Sequence, residues 1–273
     1  MEEDGSKMDL DEVDMTSTKN IKDFIPEKVL FCVDVSDEMS KTLALKTTGV
    51  GMTIGREPVG MDLAKRLIKR FISVKGRWNS DHEFGVITLK NRAEWYINFC
   101  NDYELLYAGI DELTPMGSFE IFELDQLLLT IKNYLEQSQA SVDANDYVLR
   151  VIIIYGRTSV IPKKPTPELL AKLYGDTKIS CYIDVIFIHD RPTADNSPQE
   201  VYDSLLDLES IDGKSYAFEI NRLAKNFALN MAMLLGHPFQ RPNQIETSEE
   251  NFLLQKVVST PQKRPYNEDE CIE

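Results

Sequence analysis

The chain is 273 residues long with 42% hydrophobic and 27% charged content, the proportions of a globular protein with length enough for a substantial core. A formal net charge of −15 argues against a surface built for nucleic acid, which such a chain repels. No apolar run approaches the roughly 20 residues of a membrane helix, and the opening MEEDGSKMDLDEVDM lacks the apolar core of a signal peptide. The cysteines Cys32, Cys100, Cys181 and Cys271 are scattered without a C-x-x-C pair. They read as reduced thiols in a cytoplasmic and nuclear protein, with Cys32 and Cys181 packing as small hydrophobes inside apolar strands.

Residues 1–23 are acidic with few apolar anchors and are expected to form a disordered tail. Val29–Val35 is the first strand, followed by a Thr- and Gly-rich loop. Pro58 stands near a helix start, and Met61, Ala64, Leu67, Ile68, Phe71 and Ile72 make one apolar stripe with Lys65, Arg66, Lys69 and Arg70 largely off it. Glu83–Leu89 and Trp95–Phe99, joined by LKNRAE, predict an antiparallel hairpin at a sheet edge. A short helix at Tyr103–Ile110 precedes the loop TPMGS. A longer helix runs from Phe119 to Gln137, striped by Ile121, Leu124, Leu128, Ile131 and Leu135. YVLRVIIIY at 147–155 is the most hydrophobic segment and the predicted central strand. After the loop IPKKPTP come a small helix Pro167–Tyr174, a buried strand Ser180–Ile188 and a short helix Val201–Leu208. A last strand Tyr216–Ile220 and a closing helix Asn221–Leu235 end the pattern. Strands interleaved with helices predict an α/β fold: a doubly wound, mostly parallel sheet with one antiparallel edge strand and helices on both faces. The expected boundaries are one domain over 24–240 and a Pro/Arg-bearing, acidic tail over 241–273.

The most informative stretch is VLFCVDVSDEMS at 29–40, an apolar strand running into an acidic, hydroxyl-rich loop. Ligands of open α/β sheets collect at that carboxyl edge. The loop nearly spells D-x-S-x-S, the metal-ion-dependent adhesion motif of von Willebrand A domains, with Asp34 and Ser36 in place and Glu38 where the second Ser belongs. A hard divalent cation wants several oxygen ligands, and in those domains three loops supply them. Ser118 in PMGSFE stands where a Thr is expected, and Tyr155 in IIIYGRTS where an Asp is expected. With Glu38 and Tyr155 altered, the expectation is a degenerate site holding no metal and no cofactor. Asp34 and Ser36 would then bond loop amides. The rival reading is a metal-dependent ligand-binding module using Asp34, Ser36, Glu38 and Ser118.

The histidines His82, His189 and His237 fall in no H-E-x-x-H spacing and beside no G-x-S-x-G elbow. Cys100 has no basic neighbour in sequence to lower its pKa, and Gly51 and Gly55 lack the Lys-Ser/Thr of a phosphate loop. The chain reads as non-enzymatic, the open alternative being catalysis by His189-Asp190 or by Cys100. Two segments share the form P-x-x-R-P: Pro238-Phe239-Gln240-Arg241-Pro242 and Pro261-Gln262-Lys263-Arg264-Pro265. Prolines at this spacing favour a polyproline II ribbon that loses little entropy on docking, and Arg can fork onto a carboxylate. Pro238 could equally serve only to stop the helix that ends at Gly236.

Several segments together, PEKVLFCVDVSDEMS, NSDHEFGVITL, VLRVIIIYGR, YIDVIFIH and above all GHPFQRPNQ, resemble the von Willebrand A-like adaptor subunits of the BRISC and breast-cancer-susceptibility A deubiquitinase complexes. The resemblance spans about Pro26–Gln244. It implies a non-catalytic scaffold docked on the subunit built from ubiquitin-E2-variant domains. Indirect partners would be a zinc metalloprotease, which cleaves non-degradative lysine-linked polyubiquitin, and its coiled-coil scaffold. No nucleic acid and no membrane is expected. Carried over to this sequence, the docking residues would be Pro238, Phe239, Arg241 and Pro242, then Pro261, Arg264 and Pro265. Direct ubiquitin binding by the domain is the other alternative.

Overall fold

The computed structural model describes residues 25–45, 56–138, 147–175, 179–210 and 212–244. The expected acidic tail over 1–23 and the segment Pro261, Arg264 and Pro265 lie outside them. The described residues form six strands: β1 (Glu27–Asp34), β2 (Glu83–Leu89), β3 (Ala93–Cys100), β4 (Val148–Tyr155), β5 (Cys181–Ile188) and β6 (Ala217–Ile220). They pair as one sheet in the order β3-β2-β1-β4-β5-β6. Every pairing is parallel except β2 with β3, so the antiparallel hairpin sits at the edge, as its sequence predicts.

Parallel strands covered on both faces need apolar residues at nearly every position. β4 and β5 meet that demand, each buried along its whole length. Alternation divides their side chains. Val29, Phe31, Val33, Ile152, Ile154, Ile186 and Ile188 face one layer, made by α1 (Gly60–Trp78), α2 (Tyr103–Glu112) and α6 (Ala224–Met233). Leu30, Cys32, Val151, Ile153, Val185 and Phe187 face the other, made by α3 (Leu124–Ser138), α4 (Pro167–Gly175) and α5 (Pro198–Leu206). The doubly wound, three-layer expectation holds. So does the packing of Cys32 and Cys181 as core residues; with Cys100 they are free thiols. No described helix is long and apolar enough to cross a membrane.

Two boundaries depart from the sequence reading for visible reasons. The long helix starts at Leu124 rather than Phe119, because the preceding chain is drawn onto the loop after β1. Met116 N–H donates to Val35 O (2.7 Å), Asp37 N–H donates to Gly117 O (2.9 Å), and Gly117 takes a left-handed φ of 131° that a helix excludes. Ile121, placed on the apolar stripe by spacing, is therefore 61% exposed, and Phe122 is buried in its stead. The ordered packing also runs past residue 240. Residues 237–241 turn back under the sheet, with Gln240 and Arg241 N–H both donating to His237 O, and the Gln244 side chain accepts from Ala217 N–H at 2.8 Å on the outer strand.

Candidate functional site

The residues expected to form a remnant metal site lie at the carboxyl edge of the sheet, where an arginine pairs with the first of them. Asp34 ends β1 fully buried. Its Oδ1 accepts from Ser36 N–H (3.0 Å) and from Arg157 Nε (2.9 Å). Its Oδ2 accepts from the Ser36 hydroxyl (3.0 Å) and from Gly156 N–H (3.0 Å). Arg157, 1% exposed, also donates from its Nη2 to Leu89 O at 2.6 Å. The aromatic rings of Phe119, Phe122 and Tyr155 lie 5.0 to 5.5 Å from its guanidinium carbon. A fixed organic cation thus satisfies the carboxylate that a divalent ion would otherwise satisfy. Burial pushes the Asp34 carboxyl above its usual range, while Arg157, the Gly156 amide and Ser36 pull it back. Gly156 is needed here: a Cβ on it would lie 2.7 Å from the Met39 sulfur.

The other positions of the motif point elsewhere. Glu38 accepts from Lys41 Nζ (2.7 Å) and Arg222 Nη2 (3.0 Å), and both cations also pair with Asp190. This four-charge cluster joins the loop after β1 to those after β5 and β6. It holds Arg222 at a left-handed φ of 48°, a conformation that costs a non-glycine residue about 1–3 kcal/mol. The Ser118 hydroxyl donates to Asp37 Oδ2 (3.1 Å), not to Asp34. Tyr155 faces the α3–α5 layer, its hydroxyl donating to Val160 O (2.9 Å). No group of three or more His, Cys, Asp or Glu among the described residues is placed to hold a metal ion. The oxygen donors do not converge, so the residues present do not fit a divalent cation. The alternative catalytic residues do not assemble either. Asp190 belongs to the charge cluster, His189 Nδ1 lies 2.8 Å from Asp190 O, and Cys100 is half-buried at the far end of β3.

A second charged centre lies at the opposite end of the sheet, against the α1 and α6 layer. Glu27, Arg150 and Asp184, all fully buried, project from adjacent strands β1, β4 and β5. Arg150 donates to Asp184 (2.8 Å) and to Glu27 (3.3 Å), and the buried Lys75 of α1 also pairs with Glu27. Arg241 completes the row, donating from Nη2 and Nη1 to the two oxygens of Asp184 at 2.6 and 3.2 Å, with Tyr216 4.2 Å beneath its guanidinium carbon. This corrects the reading of the first P-x-x-R-P segment. It is a turn rather than a polyproline II ribbon, and Arg241 is committed to the domain's own interior. Pro238 is buried, Phe239 packs edge-on to Tyr182, and Pro242 is exposed while its carbonyl accepts from Tyr216 Oη (2.6 Å).

Burial alone would raise the Glu27 and Asp184 carboxyls, but the surrounding cations outweigh it and hold both below the ordinary range. His82, whose Nδ1 accepts from Glu27 N–H at 2.7 Å, is pushed down to about 4, chiefly by burial. A histidine with a depressed folded pKa stabilises the fold fully above about pH 6.5, its unfolded value. That stability is lost as pH falls toward 4, because the unfolded chain then binds the extra proton. Unfolding free energy is therefore expected to decline between these limits by up to about 1.4 kcal/mol per pH unit for this one histidine. His82→Gln should flatten the profile in urea titrations at stepped pH; an unchanged slope would remove His82 as the source.

No family model matches the chain. It is 27% identical over 231 residues to BRISC and BRCA1-A complex member 1 of Danio rerio, covering 82% of this chain and 60% of that protein. To its counterparts in Xenopus tropicalis and Homo sapiens it is 28% and 26% identical over 228 and 233 residues, covering 80% and 82% of this chain and 68% and 67% of theirs. The chain thus spans about three fifths to two thirds of the length of these relatives. Among solved structures, proximal thread matrix protein 1 from the mussel byssus superposes with a TM-score of 0.52 at 11% identity, over 77% of this chain and 47% of that one. The SpRpn10 VWA domain aligns with a TM-score of 0.48 at 15% identity, over 78% and 97%. The chain is an α/β domain with a doubly wound, mostly parallel sheet, and over four fifths of its length it is similar in sequence to BRISC and BRCA1-A complex member 1.

Proposed function

We propose that this protein is a non-catalytic adaptor subunit of a BRISC-type deubiquitinase assembly in the cytoplasm and nucleus. In this reading it docks on a subunit built from ubiquitin-E2-variant domains. It thereby supports a separate zinc metalloprotease, with its coiled-coil scaffold, in cutting non-degradative lysine-linked polyubiquitin. The observation that carries the reading is the similarity, over four fifths of the chain, to proteins named as members of the BRISC and BRCA1-A complexes. The chemistry of the carboxyl edge agrees. With Arg157 on Asp34, the oxygen donors described at this edge do not converge on an ion, and in this reading partner contact falls to the surface and the tails.

Within this reading Pro238, Phe239 and Arg241 fix the direction in which the chain leaves the domain, and Pro242, Pro261, Arg264 and Pro265 are offered to the partner. Purification of the tagged full chain from cells at moderate salt is expected to recover the E2-variant subunit and the metalloprotease in near-equal amounts. Pro261→Ala with Arg264→Ala should cut that recovery at least tenfold, as loss of a hydrogen-bonded charge contact costs about 2–5 kcal/mol. Recovery of neither partner with the unaltered chain would overturn the proposal.

A further inference from the structure

Beside the second charged centre, where β1 begins and α1 and α6 end, lies a recess of about 760 Å³. Trp78, the last residue of α1 and 61% exposed, stands on its rim with the exposed Arg77 and Asp81. Glu27, Lys75, His82 and His237 line it from within, each more than nine-tenths buried. The helix-end carbonyls here already have donors. Lys75 O accepts from Asn79 N–H (3.1 Å), Leu235 O from Lys75 Nζ (3.3 Å) and Gly236 O from Arg150 Nη1 (3.1 Å). The site is short of acceptors. His237 Nε2, Arg150 Nη2 and Arg241 Nε are buried donors with no hydrogen-bond partner among the described residues. His237 Nδ1 accepts from Phe239 N–H (3.2 Å), so the neutral ring carries its proton on Nε2. Glu27 Oε1 lies 3.9 Å from that nitrogen, too far to bond it, and the Ile25 carbonyl draws on the ring without completing a bond.

Charge points the same way. The centre buries three cations, Lys75, Arg150 and Arg241, against two carboxylates, Glu27 and Asp184. On the rim Arg77 and Asp81 cancel. A buried charge without a counter-charge is costly, and water can meet an orphaned donor but cannot balance a charge. Burial pushes the Lys75 ammonium down and Glu27 holds it up, while Arg150 and Arg241 press it down again. Of its three protons, two go to Glu27 and Leu235 O, which leaves one to give. We propose that the recess receives an aspartate or glutamate side chain of a partner protein, its carboxylate meeting Lys75 and His237 and its stem lying on Trp78. One such group supplies the missing acceptors and the missing negative charge together. Glu27 tolerates the approach because Arg150 holds its other oxygen (3.3 Å). A side chain fits better than a free ion, since the recess far exceeds a small anion and opens at a tryptophan, a residue type that anchors protein contacts. This contact is separate from the tail segments of the adaptor reading and does not depend on it.

The test uses Trp95→Phe in the full chain, which leaves Trp78 as the sole tryptophan. Titration with the blocked tripeptide acetyl-Gly-Glu-Gly-amide at fixed ionic strength is expected to give a saturable change in Trp78 fluorescence. The Gln counterpart should bind at least tenfold more weakly, because it lacks the charge that the site is short of. Lys75→Met should abolish binding of the Glu peptide. Arg77→Glu tests the same attraction from the exposed rim without touching the buried centre, and should weaken that peptide at least threefold at an unchanged melting point. Equal binding of the Glu and Gln peptides, or a titration that does not saturate, would overturn the proposal. So would inorganic phosphate binding more tightly than the Glu peptide, which would assign the recess to a free anion.

Discussion

Arg157→Ala is expected to lower the unfolding free energy by about 3–5 kcal/mol, because it strands the Asp34 carboxylate without a counter-charge. Asp34 is fully buried, and the donors that remain, Ser36 and the Gly156 amide, solvate it only in part. The same change frees the Leu89 carbonyl of its guanidinium partner and empties the space beside Phe119 and Phe122. At about 2–4 °C per kcal/mol for a domain of this size, the midpoint should drop by roughly 10 °C. Removing both charges, as in Asp34→Asn with Arg157→Met, should recover much of the loss, since a buried pair replaced by neutral groups is often close to neutral. A simple sum of the two single effects would mean the pair is not a unit. Millimolar Mg2+ or Mn2+ is expected to leave the unaltered protein unmoved. Nor should it rescue Arg157→Ala, because Glu38 is held by Lys41 and Arg222, and Ser118 by Asp37. A metal-dependent rise in the variant's melting point would show that those ligands can turn back toward Asp34.

The layers and the antiparallel edge follow from patterns plainly written in the chain. Continuous apolar runs at β4 and β5 mark strands covered on both faces, and the turn LKNRAE marks the hairpin at the edge. The departures from the metal motif were legible position by position, since Glu38 and Tyr155 stand where smaller or acidic ligands belong. The partner of Asp34 was not. Arg157 lies only two residues beyond Tyr155, but a lone arginine after a strand has the look of a solvated charge until the fold aims it at Asp34. The usable signal was the coincidence of a missing acid and a new base on one edge. The second centre left a similar trace, one charge inside each of two apolar strands, Arg150 in YVLRVIIIY and Asp184 in YIDVIFI. Single charges in strands that must be buried have to meet each other, and their opposite signs foretold it. The turn that holds Arg241 was not legible because spacing along the chain describes a free ribbon. The docked turn is set by Asp184, more than fifty residues away.

That long-range tie makes Asp184→Asn the most damaging single change expected at the amino-terminal end. Among the described residues it removes the one carboxylate paired with Arg241 and one of the two that serve Arg150, leaving guanidiniums in a buried row. A cost of about 3–5 kcal/mol is expected from breaking the network on one side. Arg241→Ala should cost less, about 2–3 kcal/mol, since Asp184 keeps Arg150 and the Tyr216 amide. Both changes should free residues 237–244 from the sheet. The amide of Ala217, now capped by the Gln244 side chain, would then exchange with solvent faster. Arg241→Lys should not restore protection, because an ammonium cannot fork across both Asp184 oxygens or lie flat on Tyr216. The comparison also decides how partner assays on this segment are to be read. If Arg241→Ala weakens partner recovery only in step with the lost protection at Ala217, the arginine acts by setting the exit of the tail. If recovery falls while Ala217 stays protected, Arg241 leaves Asp184 to meet the partner, and the inward geometry is that of the unassembled chain.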